Sequence, residues 1–275
     1  MEKIRMASPL YILREACARD LFGVLERLAD LGFDGVEFLG FFGHGAAAVR
    51  EKLEALGLQA LGNHVPYSEL AAEPERTLDF HRQVGCSYLT VADLPEGELE
   101  PLAGSLRKAA ELAAQRGIRL LYHNHARELA RMRGGRRELD AILEAVPAPV
   151  MALEPDLGWM EIGGGDPAQY LIRYRDRCPV IHLKDYYALG SLPGDIQDRI
   201  PQPGDRTMGC FEFRPVGYGV LNIARLMPLC LACRPDWLVM DHDMAYDRNP
   251  YGDLKLSLDY TRDLLRVTAA AEAYS

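Results

Sequence analysis

Four short polar clusters, each at the end of an apolar run, carry the side chains of this chain that are best suited to chemistry. They are His123-Asn124-His125, Glu154-Pro155-Asp156, His182-Leu183-Lys184-Asp185 and Asp241-His242-Asp243. Apolar runs that end in His, Glu and Asp are typical of parallel strands whose carboxyl ends build one site. Several carboxylates in one pocket would repel one another unless a cation neutralised them. The clusters therefore predict a metal-dependent enzyme.

The spacing within each cluster predicts which side chains share the pocket, because residues two apart in a strand lie on one face of the sheet. The resulting pairs are His123 with His125, Glu154 with Asp156, His182 with Lys184, and Asp241 with Asp243. The residues that we predict as metal ligands are Glu154, Asp156, His182 and Asp241. The residues that we predict to carry protons are Glu154, His123, His125 and Asp241. Whether Glu154 or His123 is the fourth ligand stays open.

The mixture of imidazoles and carboxylates restricts the metal. Such a set suits Mn²⁺, Co²⁺, Zn²⁺ or Fe²⁺ better than Ca²⁺, and Mg²⁺ also fits. We therefore predict one divalent metal as the cofactor, while the residue types leave its identity open among these ions.

Further residues are predicted to contact the substrate. Asn63 and His64 end the third predicted strand and could face the ligand from the far wall. Trp159 could stack on a sugar face or serve as a packing anchor. Lys184 could polarise a carbonyl, or instead pair with Asp185 or a neighbouring strand.

Three more carboxylates could support the site. Glu37 lies in the second predicted strand and could also face the ligand. Asp243 and Asp185 are predicted to orient the ligands through hydrogen bonds.

Strand and helix signals alternate along the whole chain, and this alternation predicts how the clusters are positioned. The predicted strands are 3–8, 35–38, 58–64, 88–93, 118–125, 150–156, 179–185 and 237–243. The predicted helices include 20–31, one that ends near 56, 74–85, 98–116, 137–146, 166–176, 220–234 and 254–267. Eight such units predict an α/β fold with parallel strands, and the length favours a single (β/α)8 TIM barrel over residues 1–275. A doubly wound open sheet is the alternative, and the Gly-rich 186–219 segment is predicted to be a functional loop.

Composition excludes several classes of protein. The formal charge is −9 and the sequence pI about 5.3, which argues against nucleic acid as a partner because phosphate contacts need a basic surface. The cysteines are dispersed, and the lone Cys230-x-x-Cys233 pair is predicted to pack in a helix rather than bind metal. No apolar signal core and no membrane span is predicted, so we expect a cytoplasmic protein that does not bind a membrane.

The clusters resemble the sugar phosphate isomerase/epimerase superfamily, also called the xylose isomerase-like TIM barrels. Tyr-His-Asn-His, then Asp-x-x-Trp, then Gly-Gly-x-Asp-Pro, then His-Leu-Lys-Asp, in this order, is similar to the inosose dehydratase-like branch. The resemblance implies a divalent metal held by Glu, Asp, His and Glu from successive strand ends. It places Asp156 and His182 at the Asp and His positions, and it puts Asp241 where the final Glu is expected.

The chain departs from the pattern of this superfamily at two ligands. The first Glu falls on or beside His123, and Glu154 could take over its role. At the second ligand, Asp241 is shorter than the final Glu of the pattern. Outside the ligand set, Tyr218 stands where many relatives carry Glu. Because the two glutamates shuttle the proton in ketose epimerases, these departures leave room for dehydration next to a carbonyl. The resemblance also implies that homo-oligomers are common among relatives.

We therefore predict a metal-dependent isomerase or epimerase that acts on a sugar or cyclitol with a ketone group, through an enediolate. The first alternative is a dehydratase, a lyase of an inosose or keto-sugar that abstracts the α-proton and eliminates a β-hydroxyl. The second is a non-catalytic sugar-binding relative. A nuclease of the endonuclease IV type is disfavoured by the acidic charge.

Overall fold

Strands and helices alternate along the chain as the sequence predicts. A computed structural model describes residues 4–95, 98–189, 211–246 and 248–273. The strands within these ranges are β1 (Arg5–Pro9), β2 (Gly35–Phe38), β3 (Gln59–His64), β4 (Tyr88–Val91), β5 (Arg119–His123), β6 (Met132–Arg133), β7 (Arg136–Arg137), β8 (Met151–Glu154), β9 (Val180–Ala188), β10 (Phe211–Arg214) and β11 (Trp237–Asp241). The α-helices are α1 (Arg14–Leu31), α2 (Ala46–Leu56), α3 (Tyr67–Ala72), α4 (Pro74–Val84), α5 (Leu99–Ala114), α6 (Arg127–Ala130), α7 (Glu138–Ala145), α8 (Leu157–Ile162), α9 (Pro167–Arg173), α10 (Ile223–Ala232) and α11 (Pro250–Ala273).

Eight parallel strands form a closed barrel. Neighbours around the ring follow the order β1, β2, β3, β4, β5, β8, β9 and β11, and β11 pairs with both β9 and β1. Between β8 and β9 the described residues form one parallel bridge, which joins Asp156 to His182. The backbone N–H of His182 donates to the carbonyl oxygen of Pro155 at 2.9 Å. The predicted TIM barrel is thus confirmed.

The end of β9 departs from the prediction. The seventh barrel strand continues to Ala188 because it pairs antiparallel with β10, with Asp185 opposite Arg214 and Ala188 opposite Phe211. The aromatic side chains of β10 are buried, so alternating burial stabilises this pair. The predicted loop over 186–219 is therefore wrong over 186–188 and 211–214, and its central part, 190–210, lies outside the described residues.

The first helix also begins earlier than predicted. Helix α1 starts at Arg14, and Asp20, where the predicted helix begins, lies inside it with an extended backbone (φ −157°, ψ 82°). The Asp20 carboxylate accepts the N–H of Gly23 at 2.9 Å. The residue does cap a helical segment, as its type predicts, but that segment is the second half of a kinked helix.

An apolar layer fills the barrel beneath the polar clusters. Its members are Ala7, Leu61, Tyr88, Leu121, Ala152, Val180, Trp237 and Val239. Several of these residues lie two positions before a cluster residue and therefore point into the barrel with it. Val239, for example, precedes Asp241, and Val180 precedes His182. The layer directly beneath the site is therefore apolar and buried.

The remaining expectations on packing concern the outside of the barrel. Cys230 and Cys233 lie at the end of α10 in the main hydrophobic core, 0% and 8% exposed, as predicted. Within the part of the chain that the structure describes, no helix is both long enough and apolar enough to cross a membrane.

The tight bottom of the barrel gives a first testable prediction. A Cβ at Gly35 would lie 2.5 Å from the carbonyl oxygen of Gln59 and 2.6 Å from Cη2 of Trp237. Because both neighbours are fixed, we expect Gly35→Ala to lower the free energy of unfolding by about 1–3 kcal/mol. Urea denaturation measures this difference. Gly104→Ala is the control, since nothing lies within 4 Å of its Cβ in α5, and it should stabilise by about 0.5–1 kcal/mol. Equal effects of the two substitutions would contradict the packing argument.

Candidate active site

A cavity of about 470 Å³ opens at the carboxyl ends of the barrel strands. The predicted site residues on its wall are His64, His123, His125, Trp159, His182, Lys184, Asp241 and Asp243. Glu37 lies on the wall as well, so β2 contributes to the same pocket. Glu154 and Asp156 are buried directly behind this wall. The four clusters therefore meet at one place.

Glu154 is the centre of one group of contacts. Its Oε1 lies 3.0 Å from His64 Nε2, 3.1 Å from His123 Nδ1 and 3.2 Å from His182 Nε2. Its Oε2 accepts a hydrogen bond from Thr90 Oγ1 at 3.0 Å. Burial by itself would raise the pKa of Glu154, but the imidazoles of His182 and His123 hold it well below its usual value. With both oxygens engaged, this carboxylate orients imidazoles.

Glu37 stands beside this group on β2. Its Oε2 lies 3.1 Å from His182 Nε2 and 3.3 Å from His64 Nε2. Its pKa is lowered, because attraction to the two imidazoles outweighs burial and the repulsion of Glu154. Burial would lower the pKa of His64, but the two glutamates raise it to about 10. A fully buried acid on β2 is thus part of the site, although Glu37 alone gave only a weak signal in the sequence.

Lys184 is the centre of a second group of contacts. Its Nζ lies 2.9 Å from Asp156 Oδ2, 3.0 Å from Asp241 Oδ2 and 2.7 Å from Asp243 Oδ1. Burial would lower the pKa of Lys184, but these carboxylates raise it well above its usual value. The side chain is 1% exposed. The sequence left its partner open, and the structure pairs it with the strand ends on either side rather than with Asp185.

His182 joins the two groups. Its Nδ1 lies 3.1 Å from Asp241 Oδ2, while its Nε2 faces the two glutamates. Burial would lower the pKa of His182, but Glu37, Glu154 and a hydrogen bond with Asp241 raise it well above its usual value. The ring is 1% exposed. His123 makes a longer link between the same groups, since its Nε2 lies 3.7 Å from Asp156 Oδ2.

Asp156 is fixed by its local structure. Its Oδ1 accepts the backbone N–H of Trp159 at 2.8 Å, which caps α8. The amide side chain of Asn124 bonds to its backbone N–H and carbonyl at 3.1 and 3.3 Å. Burial raises the pKa of Asp156 to about 6, against the attraction of Lys184. Because Oδ1 caps α8, the other oxygen, Oδ2, is the one that faces Lys184.

His123 and His125, the two histidines of the first cluster, have lowered pKa values, whereas those of His64 and His182 are raised. Burial, together with the nearby charge of His182, lowers the pKa of His123 to about 4 in spite of its bond to Glu154. Burial and the neighbouring His123 and Lys184 lower the pKa of His125 well below its usual value. At neutral pH both rings are therefore uncharged.

Trp159 both lines the pocket and packs against β10. Its ring lines the pocket, with its centroid 6.0 Å from the His125 ring and 5.0 Å from Lys184 Nζ. Its other contact is an edge-on packing with Phe213 of β10, with the centroids 5.5 Å apart. The indole is 1% exposed. It is a rigid anchor and also an apolar wall.

Two residues that the sequence predicts at the site, Asn63 and Asp185, do not line the pocket. The amide group of Asn63 donates to His81 Nε2 at 2.8 Å and accepts the N–H of Gly40 at 2.8 Å. Because Asn63 and His64 are adjacent in β3, they lie on opposite faces, and His64 takes the inner one. Asn63 therefore supports the strand from outside.

Asp185 likewise faces away from the metal-ligand candidates. Its carboxylate accepts the backbone N–H groups of Gly217, Gly219 and Leu221 at 2.9–3.0 Å, as well as that of Tyr186. We predicted that Asp185 orients metal ligands, but its carboxylate instead anchors the backbone of the segment that follows β10. The expectation for Asp243 is met only indirectly, through its bond to Lys184.

The donor atoms fit a divalent cation. Two groups of potential ligands share His182: one is His64, His123, Glu154 and His182, and the other is Asp156, His182 and Asp241. In each group the ligand atoms lie within 4.8 Å of one another. Among the described residues, the buried carboxylate oxygens Glu37 Oε1 and Asp241 Oδ1 have no hydrogen-bond partner. Unpaired buried acceptors beside imidazoles are the ligand types that Zn²⁺, Co²⁺ and Mn²⁺ favour.

Comparisons with known proteins agree with this geometry. Residues 25–240 match the family described as xylose isomerase-like TIM barrel. An inosose dehydratase from Geobacillus kaustophilus is 24% identical, and the match covers 90% of this chain and 89% of that protein. The crystal structure of a sugar phosphate isomerase/epimerase from Parabacteroides distasonis has a TM-score of 0.74 at 18% identity, covering 94% of this chain and 93% of the other. A xylose isomerase-like TIM barrel protein from Mycobacterium smegmatis, in complex with magnesium, has a TM-score of 0.67 at 15% identity, covering 96% and 97%.

Proposed function

The chain belongs to the xylose isomerase-like TIM barrel family, and from this premise we propose that it is a divalent-metal-dependent dehydratase of a cyclic polyhydroxylated ketone. It is an enzyme of the isomerase or dehydratase kind. From the sequence we predicted an isomerase or epimerase, with a dehydratase as the first alternative. A relative whose match covers 90% of the chain, at 24% identity, is an inosose dehydratase, and this match supports dehydration.

One observation carries the proposal: two different groups that can exchange protons, His125 and Lys184, lie beside one apolar wall. The His125 ring and Lys184 Nζ both contact the indole of Trp159, with 6.0 and 5.0 Å to its centroid. Dehydration needs two such groups, because one proton leaves carbon and another must reach the departing hydroxyl. An isomerase could use a single group that moves one proton between adjacent carbons.

The roles of the residues follow from their contacts. A divalent cation held by the imidazoles and carboxylates would draw electrons from the carbonyl oxygen and so acidify the neighbouring C–H bond. The uncharged imidazole of His125 takes that proton, and the C–H electron pair becomes the new double bond. Lys184, whose charge is balanced by three carboxylates, gives a proton to the β-hydroxyl, which leaves as water. Trp159 offers its face to the C–H groups of the ring.

The test is turnover of an inosose by the protein loaded with Mn²⁺ or Co²⁺, followed by mass spectrometry and proton NMR. We expect a product that has lost one water. We expect His125→Gln to lower kcat by about 100-fold or more, the range of general acid–base catalysis. His44→Gln is the control, because His44 packs on Phe22 outside the pocket and should leave turnover unchanged. A product of unchanged mass would overturn dehydration in favour of isomerisation.

A further inference from the structure

Glu128, in the short helix α6, is a buried carboxylate that does not line the pocket. It is 2% exposed and follows His125 by three residues in the chain. Its Oε2 accepts the backbone N–H of His125 at 2.8 Å. A hydrogen bond from an N–H group to a carboxylate is roughly twice as strong as one between neutral groups. Glu128 therefore holds the backbone of the residue to which we assign proton abstraction.

The position of this carboxylate is set by contacts with two strands. Its Oε1 accepts the Nε–H of Arg127 at 2.8 Å and the hydroxyl of Tyr122, in β5, at 3.2 Å. Arg127 Nη2 donates in turn to the carbonyl oxygen of Ala92, just past the end of β4, at 3.0 Å. These partners of the carboxylate are all donors, which is what a buried group that only accepts hydrogen bonds requires. Glu128 thus ties His125 to the ends of β4 and β5.

The strand ladder between β5 and β8 ends before His125 and therefore does not fix this residue. The last registered position of β5 is His123. The side chain of Asn124 extends the link, with bonds of 3.1 and 3.3 Å to the backbone of Asp156. At His125 the bond to Glu128 replaces the ladder. The backbone of His125 is therefore fastened to β8 through the preceding residue and to α6 through its own N–H.

The imidazole of His125 depends on this backbone for its place in the pocket. Its Nδ1 has no hydrogen-bond partner among the described residues, so no bond at that nitrogen orients the ring. The ring packs edge-on against His123 and Trp159, with centroids 5.1 and 6.0 Å away. In many active sites a carboxylate orients a histidine by accepting a bond from the ring. Here a carboxylate acts on the peptide N–H instead.

We propose that Glu128 is a positioning residue: it fixes the backbone of His125 and so keeps the imidazole beside Trp159, where the substrate ring lies. The proposal rests on the proposed function, in which His125 takes the α-proton. Displacing a catalytic group by about 1 Å can cost about 100-fold in rate. Removal of the Glu128 carboxylate should therefore lower kcat, while KM changes little because the side chains of the pocket wall remain.

The experiment is a double-variant cycle on the dehydration of an inosose by the protein loaded with Mn²⁺ or Co²⁺. Glu128→Ala should lower kcat by about 10- to 100-fold and change KM by no more than about threefold. In the His125→Gln background the same substitution should lower kcat by less than about twofold, because Glu128 acts only through His125. Glu138→Gln is the matched control, since Glu138 pairs with Arg133 in the adjacent segment, and it should leave kcat unchanged.

Equal losses of kcat in the two backgrounds would overturn the proposal, because a purely structural effect of Glu128 does not depend on His125. An unchanged kcat in Glu128→Ala would overturn it as well. If Glu128→Ala does not fold, Glu128→Gln carries the same test, since its amide keeps one acceptor oxygen but cannot satisfy all the donors.

The NMR signals of the His125 imidazole, assigned by their loss in His125→Gln, test the position of the ring without substrate. They should shift in Glu128→Ala, because the ring moves relative to the indole of Trp159, and should stay in place in Glu138→Gln. Unshifted signals in Glu128→Ala would refute the positioning role. Failure of the wild type to dehydrate inososes would refute the proposed function alone, and these signals would still decide whether Glu128 positions the ring.

Discussion

Replacing His182 by alanine is expected to remove metal binding and to lower kcat/KM by about 1,000-fold or more, equivalent to about 4 kcal/mol of transition-state stabilisation. The physical reason is that His182 is the one residue shared by both groups of potential ligands. Its ring touches Glu37 and Glu154 through Nε2 and Asp241 through Nδ1. The substitution therefore removes contacts from both halves of the site at once.

The measurements are metal content per chain and steady-state kinetics on the same preparations. The fold should survive, because the backbone N–H of His182, which bonds to Pro155, is retained in the alanine variant. Circular dichroism checks this point. His44→Ala, outside the pocket, is the matched histidine control. A His182→Ala protein with full metal content would show that neither ligand group binds the ion.

The largest loss of stability is expected from Lys184→Met. Methionine matches the length of the lysine stem but leaves Asp156, Asp241 and Asp243 without their ammonium. Breaking a buried ion pair by removing one partner costs about 3–5 kcal/mol, and three carboxylates share this one. Urea denaturation at neutral pH should show that loss in the free energy of unfolding.

Two comparisons make this result specific. Lys255→Met removes an exposed ammonium that pairs with Asp259 four residues away and should cost no more than about 0.5 kcal/mol. The double variant with Asp243→Asn should be more stable than Lys184→Met alone, because it carries one fewer unpaired carboxylate. Equal unfolding free energies for the wild type and Lys184→Met would show that the ammonium does not hold these carboxylates together.

Periodicity alone predicted which pairs of cluster residues share a face. His182 and Lys184 both reach the pocket because a strand turns every second side chain inward. The same rule excludes Asn63, since its neighbour His64 faces inward, but the sequence did not show which of the two would. A strand boundary that shifts by one residue exchanges the two faces. The error at Asn63 is therefore one of register.

Contacts between distant strands could not be predicted from one sequence. Glu37 and Thr90 reach Glu154 and its imidazoles from β2 and β4, yet neither ends a conspicuous polar cluster. The division of the site into a glutamate–imidazole half and a lysine–aspartate half likewise depends on distances between strands. Residue types predicted that the carboxylates of the site need positive charge nearby. Only the geometry shows that the Lys184 ammonium supplies part of that charge.

Strand β10 was missed for a related reason. Phe211 and Phe213 alternate with Glu212 and Arg214, a pattern of only four residues within a Gly-rich and Pro-rich stretch. Its partner is the extension of β9, which read as the start of a loop. Antiparallel pairing and the packing of Phe213 on Trp159 stabilise a strand too short to be recognised by its sequence.

The parallel bridge between Asp156 and His182 closes the barrel, and both of its residues belong to the candidate active site. Along β8 and β9 the described residues meet at this one bridge, whereas the other neighbouring strands share several registered positions. A ligand that binds both of these side chains would therefore also link β8 to β9. We therefore expect a ligand that binds both side chains to slow the exchange of the His182 amide hydrogen with solvent, since that hydrogen bonds to Pro155 across the two strands.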